Sequence, residues 1–246
     1  MTAVARAPFL RAEWRQLAML NFEVDPTAVR PLVPAGTELD AWAGRFYVSV
    51  VGFRFLRTRV WGLGIPFHRN FEEVNLRFYV RRHADDGWRR AVVFVKEIVP
   101  RAAIALAARA LYNENYVALP MSHALSPATG DGWVASAAYA WRHDGREHRL
   151  DVVTTAPPSL PPDGSEEQFI TEHYWGYVAQ RDGGTVESRV EHPPWRVARA
   201  TEARLDCDAA ALYGAAFGEC LAGTPTSAFL ADGSAVTVSH GRRLSR

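Results

Sequence analysis

The segment Phe71 to Arg81 reads FEEVNLRFYVR, and its alternation is the observation on which the fold prediction depends. Successive side chains of a strand point to opposite faces, so a strand here has one apolar face and one polar face. The polar face consists of Glu73, Asn75, Arg77 and Tyr79. Two interpretations are open. The polar residues form a solvated sheet face, or they line the inside of a barrel that holds a small polar ligand.

In the second interpretation the polar column has a chemical role. Arg77 binds a carboxylate, because a guanidinium presents paired donors that match its two oxygens. Glu73 then acts as an acid or a base, or as the ion-pair partner of Arg77. Asn75 and Tyr79 are predicted to contact the ligand.

Further strands are predicted on both sides of this segment, since runs rich in β-branched and aromatic residues alternate with turns. Asp-Gly turns at Asp86-Gly87, Asp144-Gly145 and Asp182-Gly183 are typical of hairpins. The eight predicted strands are Arg45–Phe55 with a bulge at Gly52, Phe71–Arg81, Arg90–Val99, Gly132–Arg142, Glu147–Thr155, Gly184–Glu191, Val197–Leu205 and Ser234–His240. The sequence therefore predicts a mainly β, antiparallel protein.

Helices are predicted only where capping residues and apolar spacing coincide. They are Pro26–Leu32, Pro100–Leu111, Ser165–Trp175 and Asp208–Cys220. The Pro-rich stretch Ala156–Gly164 is the one linker-like segment, but strand patterns continue on both sides of it. We therefore predict one large barrel or sandwich over residues 1–246, whose second half begins after this stretch.

A second chemical candidate lies in AVVFVKEIV, residues 91–99, which contains Lys96, the single lysine of the chain. Neighbouring residues of a strand face opposite sides, so only one of Lys96 and Glu97 is expected to face a cavity. A lysine in apolar surroundings has a lowered pKa and can form a Schiff base. Alternatively, Lys96 is a solvated residue of an edge strand.

The segment after the predicted second helix, YNENY at residues 112–116, is rich in hydrogen-bonding side chains. It predicts either a helix cap with aromatics packed on the core, or a cavity mouth formed by Tyr116 and His123. Two other segments, Thr171–Trp175 and Glu191–Trp195, combine acids, histidines and tryptophans. Aromatic residues at that density are more typical of a core than of a ligand site.

Composition excludes several classes of protein. The 246 residues are 48% hydrophobic, and 28 basic residues balance 27 acidic ones, which argues against nucleic acid as a partner. The two cysteines, Cys207 and Cys220, have no zinc-site or disulfide-framework spacing. Paired-histidine metal motifs, P-loops, dinucleotide loops and hydrolase elbows are absent, so no metal and no cofactor are predicted. No stretch has the length of a signal peptide core or a membrane span, so we expect a cytoplasmic protein without a membrane partner.

The order of several motifs resembles the uncharacterised YqjF-like family of the acetoacetate-decarboxylase-like superfamily. These motifs are Trp14, NFEVDP at 21–26, LVP at 32–34, FEEVNLRFYV at 71–80, Tyr112–Tyr116, FITE at 169–172 and HPPW at 192–195. The resemblance covers nearly the whole chain. It implies a single domain with a cone-shaped, antiparallel β-barrel-like fold, a few peripheral helices and a central cavity.

The resemblance also implies a reaction mechanism, and this sequence departs from it at the position of the reactive lysine. Acetoacetate decarboxylase forms a Schiff base between a β-keto acid and a lysine that follows a proline after an Arg-Glu strand end. Here the stretch is KEIVPR at residues 96–101, so Arg101 occupies the Schiff-base position and Lys96 that of the strand arginine. Arginine stays protonated and cannot serve as that nucleophile.

These observations predict a protein that binds a small carbonyl or carboxylate compound in a central cavity. Catalysis is assigned to Lys96, Glu73 and Arg77, and ligand contacts to Asn75, Tyr79, Glu97, Arg101, Tyr116 and His123. Decarboxylation of a keto acid, aldol chemistry with dehydration, and enolisation are the candidate reactions. The alternatives are a non-catalytic binding protein and a homo-oligomeric interaction protein on the same fold.

Overall fold

The computed structural model describes residues 8–106, 115–128 and 133–244, and strands dominate them. The strands are β1 (Leu10–Glu23), β2 (Glu38–Leu39), β3 (Tyr47–Val60), β4 (Phe71–Ala84), β5 (Gly87–Val99), β6 (Tyr116–Ala118), β7 (Met121–Pro127), β8 (Val134–His143), β9 (Arg146–Val153), β10 (Trp175–Ala179), β11 (Thr185–Glu191), β12 (Val197–Arg199), β13 (Glu202–Asp206), β14 (Ser227–Val238) and β15 (Arg242–Arg243). The helices are α1 (Pro26–Val29), which continues as a 3-10 turn over Arg30–Leu32, α2 (102–106), α3 (Glu166–Thr171), α4 (Ala209–Tyr213) and α5 (Ala215–Ala222). The predicted mainly β fold with few helices is confirmed.

Seven strands close into a ring. Its order is β14, β1, β3, β4, β5, β10 and β11, and β11 pairs back to β14 through Val190 with Val238 and Glu191 with Thr237. Neighbours in the ring are antiparallel except for β10, which runs parallel to β5. Strands from both sides of the Pro-rich stretch 156–164 therefore belong to the same sheet.

A second sheet of four strands, in the order β13, β9, β8 and β7, covers part of the outside of the ring. Its apolar residues pack with helices α4 and α5 on the outward face of β1, β3 and β4. A separate apolar cluster lies inside the ring, where Phe169 and Ile170 of α3 pack. The ring strands under the second sheet are therefore buried on both faces.

Tyr139 of β8 joins the two layers at Gly52 of β3. A Cβ atom on Gly52 would lie 2.6 Å from Cδ2 of Tyr139, so the aromatic ring rests directly on the glycine backbone. The hydroxyl of Tyr139 donates a 2.7 Å hydrogen bond to the carbonyl of Gln16. Gln16 has φ of 53° at a register shift between β1 and β3. The irregularity predicted at Gly52 therefore lies in β1, opposite Gly52. Gly52 itself is needed because the aromatic ring of Tyr139 approaches its backbone closely.

A buried chain of hydrogen bonds links four ring strands to α3. The Tyr79 hydroxyl and Ser49 Oγ are 2.6 Å apart, and Ser49 Oγ donates to Asn21 Oδ1 at 2.6 Å. Asn21 Nδ2 donates to Ser227 Oγ at 3.0 Å, and this hydroxyl donates to Glu166 of α3. These contacts fix α3 against the inside of the ring.

Several predicted boundaries were wrong, each for an identifiable reason. No strand was predicted over Leu10–Glu23, because β1 is buried on both sides from residue 17 to 22 and lacks the alternating pattern. The helix predicted over Asp208–Cys220 is divided at Gly214, whose φ is 99°. The helix predicted from Ser165 begins at its Ser165 cap but ends at Thr171, and Trp175 starts β10.

Other predicted elements differ in extent, and β3 continues past the predicted end at Phe55 to Val60. The strand predicted over Val197–Leu205 is divided into β12 and β13, and β14 begins at Ser227 rather than Ser234. The predicted helix Pro100–Leu111 is helical at 102–106, and its last five residues lie outside the described residues. Residue 132, the predicted start of β8, also lies outside them.

We expect Gly52→Ala to lower the free energy of unfolding by about 1–3 kcal/mol, because the new methyl group overlaps the Tyr139 ring. Urea denaturation followed by circular dichroism measures the change. Gly176→Ala in β10 is the matched control, since nothing lies within 4 Å of the corresponding Cβ position. Equal stabilities of the two variants would contradict the proposed contact.

Candidate functional site

A cavity of about 370 Å³ occupies the inside of the ring. Every ring strand contributes at least one side chain to its wall: Trp14 from β1, Phe53 from β3, Asn75 from β4, Val92 from β5, Val178 from β10, Val190 from β11 and Val238 from β14. The wall is mainly apolar, with a small number of polar groups. This composition is typical of small-molecule sites.

The polar column of β4 lies on the cavity face of the ring. Glu73 and Asn75 are each 2% exposed, and Arg77 is 8% exposed. All three line the cavity. Because the opposite face of β4 packs in the outer core, the strand has no solvated side. The interpretation of this column as a solvated sheet face is therefore wrong.

Glu73 is a buried carboxyl with two hydrogen-bond donors. Asn75 Nδ2 donates to its Oε1 at 2.9 Å, and the Tyr116 hydroxyl donates to its Oε2 at 3.2 Å. Burial raises the pKa of Glu73 to about 7, although these hydrogen bonds and the positive charge of Arg77 lower it. At neutral pH the carboxyl therefore exchanges readily between its acid and base forms, as a proton-transfer group requires.

Arg77 is a buried cation whose hydrogen-bonding capacity is largely unused. One terminal nitrogen donates to the carbonyl of Ile170 at 3.4 Å, and the guanidinium carbon lies 5.7 Å from the centre of the Tyr79 ring. Its Nε has no hydrogen-bond partner, and no carboxylate among the described residues forms an ion pair with it. Oδ1 of the neighbouring Asn75 is likewise buried without a partner. Burial of a charge is costly without a counter-charge, so this guanidinium is suited to an anionic ligand.

Of the Lys96 and Glu97 pair, only Glu97 lines the cavity. Glu97 pairs with Asn75 in the sheet and is 2% exposed, whereas Lys96 pairs with Leu76 on the outward face. The Lys96 ammonium donates to the carbonyl of Leu212 in α4, and burial lowers its pKa. The structure therefore corrects the prediction of Lys96 as a cavity nucleophile, since its side chain leaves the strand on the other side.

Of the remaining predicted ligand-contact residues, only some reach the cavity. Tyr116 lines the cavity beside Glu73. Tyr79 is on the same face of β4, but its ring lies under Phe169 and His173 at centroid distances of 5.4 and 4.6 Å. It does not line the cavity.

Arg101 and His123 are outside the cavity. Arg101 is exposed just before α2. His123 in β7 lies 2.6 Å from Glu72, which is on the outward side of β4. The prediction of His123 at a cavity mouth is corrected, because β7 belongs to the second sheet. Residues 112–114 of the predicted mouth lie outside the described residues.

Two histidines that the sequence analysis assigned to the core line the cavity instead. His173 Nε2 is 3.7 Å from Asp40, yet burial lowers the pKa of His173 to about 4. His192 stacks on Trp195 at 4.1 Å, and burial also lowers its pKa. Burial therefore favours the neutral form of both rings. The available signal was the occurrence of these histidines in the HYW and HPPW segments. Those segments begin at His173 and His192, far beyond the end of β5 at Val99, and they meet β4 and β5 only when the ring closes.

The described residues lack a metal-binding cluster and a membrane-spanning helix. No three His, Cys, Asp or Glu side chains within residues 8–106, 115–128 and 133–244 are grouped so that they could hold a metal ion. Over the same residues, no helix has both the length and the apolar character needed to cross a membrane.

Solved structures identify the fold as acetoacetate-decarboxylase-like. Acetoacetate decarboxylase from Legionella pneumophila has a TM-score of 0.68 and 11% identity, over 97% of this chain and 88% of that one. The enduracididine biosynthesis enzyme MppR in complex with pyruvate has a TM-score of 0.67 and 15% identity, over 99% and 93% of the two chains. An acetoacetate decarboxylase-like enzyme from Sphingomonas wittichii RW1 has a TM-score of 0.63 and 15% identity, over 100% and 98%.

The family follows from sequence. Residues 11–235 match the model of DUF2071, which is described as an uncharacterized conserved protein, and the chain belongs to this family. It is also 28% identical over 190 residues to the uncharacterized protein YqjF of Bacillus subtilis (strain 168). The matched region covers 76% of this chain and 74% of YqjF. The predicted resemblance to the YqjF-like family is confirmed.

We expect the stability of the protein to depend on the ionisation of Glu73. Its pKa is raised to about 7 from an ordinary 4.5, so stability falls as the pH rises from about 4.5 to about 7 and then levels off. The loss attributable to this group is on the order of 3 kcal/mol. Glu73→Gln keeps the side-chain shape and removes the charge, so this part of the pH dependence should disappear.

Urea denaturation of both proteins between pH 4 and pH 8.5 measures the difference. The variant should gain stability relative to the unsubstituted protein as the pH rises, while the two remain close below pH 4.5. Parallel curves over the whole range would show that Glu73 titrates as an ordinary carboxyl.

Proposed function

We propose that the protein is an acetoacetate-decarboxylase-like enzyme that binds a carbonyl-containing carboxylate in the ring cavity and moves a proton at the carbon next to the carbonyl. The observation that carries the proposal is the pairing of two groups in one cavity. Arg77 is a buried cation without an ion-pair partner among the described residues, and Glu73 is a buried carboxyl with a pKa of about 7. The first suits a carboxylate, and the second suits acid–base catalysis.

The spacing of these groups fits a ligand between them. Glu73 and Arg77 are four residues apart on one strand, so their Cα atoms are separated by roughly 13 Å, and both side chains line the same cavity. When the ligand carboxylate binds Arg77, the ligand atoms that follow the carboxylate lie near Asn75 and Glu73. Asn75 Nδ2 and the Tyr116 hydroxyl hold the Glu73 carboxyl in place.

The proposed step is enolisation. The Glu73 carboxylate accepts a proton from the carbon beside the carbonyl group, the C–H bond breaks, and the electron pair moves to the carbonyl oxygen. The Arg77 charge stabilises the resulting enolate, which carries one more negative charge than the substrate. Return of the proton from Glu73 restores the keto form. The enolate is also the nucleophile of an aldol reaction, so this step serves more than one of the predicted reactions.

A Schiff-base route through Lys96 has less support. The Lys96 side chain is on the outward face of β5 and is hydrogen-bonded to α4. The Arg101 position is exposed and cannot supply an amine. Acid–base chemistry by cavity residues therefore accounts better for the arrangement.

We expect Arg77→Met to weaken binding of pyruvate at least tenfold, because the substitution keeps much of the side-chain volume and removes the charge that binds the carboxylate. Pyruvate is the first probe because MppR, of similar fold, was solved with it. Isothermal titration calorimetry gives the dissociation constants. Arg142→Met, an exposed position on β8, is the matched control. Unchanged affinity in Arg77→Met would rule out this guanidinium as the carboxylate site.

We also expect the protein to exchange the methyl protons of pyruvate for deuterium in D₂O, measured by proton NMR. Glu73→Gln should slow this exchange 100-fold or more, the range over which a general base contributes. Calorimetry on the same variant tests whether the ligand still binds. Binding without exchange in the unsubstituted protein would favour the alternative function, a non-catalytic ligand-binding protein on this fold.

A further inference from the structure

The cavity wall changes character along β4. From Arg77 through Asn75 to Glu73 the wall is polar, and two residues further on, at Phe71, it is aromatic. Arg77 and Phe71 are six residues apart, which is roughly 20 Å along the strand. The polar groups used by the proposed function therefore occupy one part of a much longer site.

The other part is a continuous group of aromatic rings. Trp14 is 5.5 Å from Phe53, 5.7 Å from Phe55 and 6.3 Å from Trp195 between ring centres. Phe55 in turn stacks on Phe71 at 4.7 Å. All five rings line the cavity. Such a surface gains free energy by covering apolar groups and offers little to a polar ligand.

Beyond these rings the cavity reaches the loop between β3 and β4, which carries exposed apolar side chains. Trp61, Leu63 and Ile65 line the cavity and are 59%, 72% and 51% exposed. Phe67 in the same loop is 87% exposed. Isolated exposed apolar residues are ordinary, but Trp61, Leu63 and Ile65 are alternate residues of one loop that continue a cavity wall, and together they form an apolar rim.

We propose that the ligand of this site is a carboxylate with a long apolar tail, such as a medium-chain keto acid, rather than a short acid of the size of pyruvate. Its carboxylate lies at Arg77, its reacting carbon lies near Glu73, and its tail follows the rings of Trp14, Phe55 and Phe71 to the rim. A short acid would leave those rings in contact with water. This inference rests on the proposed function, because the same Arg77 fixes the head of the ligand.

The test is a series of straight-chain 2-oxo acids from pyruvate through 2-oxohexanoate to 2-oxodecanoate, with dissociation constants from calorimetry. Each methylene group that enters the apolar part should tighten binding about fourfold, the factor that corresponds to its transfer from water. Arg77→Met should weaken every acid of the series by a similar factor. An affinity that does not change with chain length would overturn the inference.

A rim variant tests where the tail ends. Leu63→Ser with Ile65→Ser should leave pyruvate binding unchanged and remove severalfold of the affinity gain of the longest acids only. Both residues are more than half exposed, so the double variant should fold normally. Leu160→Ser, 59% exposed and not part of the cavity wall, is the matched control and should change no affinity. Equal loss of affinity in the control, or none in the rim variant, would refute the proposed path of the tail.

The outcomes separate the two proposals. If pyruvate and the longer acids all fail to bind, the proposed function fails. If short acids bind in an Arg77-dependent manner but longer acids bind no better, only the long-tailed ligand is excluded. If binding strengthens with chain length but Arg77→Met has no effect, the cavity takes apolar compounds without a carboxylate head, and both proposals are overturned.

Discussion

A strand that closes a ring and is also covered on its outside has no face left for water. This constraint explains why the polar residues of β4 have unusual properties. On an ordinary half-exposed sheet, Glu73, Asn75 and Arg77 would be solvated and chemically unremarkable. Inside the ring the same residues are almost fully buried, and the carboxyl pKa rises to about 7. The chemistry proposed for the site therefore follows from ring closure.

The arrangement depends on α3 as much as on the strands. Its residues Phe169 and Ile170 fill the inside of the ring beside the cavity, and the carbonyl of Ile170 accepts a hydrogen bond from Arg77. The helix is held by Glu166, which ends the buried hydrogen-bond chain through Asn21. The buried chain of hydrogen bonds thus sets the position of the Ile170 carbonyl, and this carbonyl orients the guanidinium of Arg77. Buried polar networks that are fully hydrogen-bonded specify one arrangement in this way.

Much of the fold was predictable from local patterns. The alternation in Phe71–Arg81 gave the correct faces of β4, and Asp144-Gly145 forms the predicted hairpin turn with φ of 48° and 77°. Only one of Lys96 and Glu97 enters the cavity, as the alternation of neighbouring side chains along a strand predicts. In these cases the information lies within a few residues, where steric rules apply directly.

What could not be predicted depends on distant residues. Which of Lys96 and Glu97 faces the cavity is set by the pairing of β5 with β4 and by an irregularity between Lys96 and Phe94, and neither leaves a local pattern. His173 and His192 enter the cavity wall from segments after α3 and β11, because β10 and β11 complete the ring. β1 was missed because a strand buried on two faces has no amphipathic signal to detect.

The pairing of β1 with β14 has a consequence for how the chain acquires its structure during synthesis. Asn21 and its partner Ser227 are 206 positions apart, so the first long strand has no neighbour on one side until most of the chain has been translated. Contacts between such distant segments form slowly, because the intervening loop must close before any stabilising interaction is made. Nascent chains that lack β14 carry an unpaired, largely apolar strand edge, which is the kind of surface that molecular chaperones bind and that aggregates when they are absent.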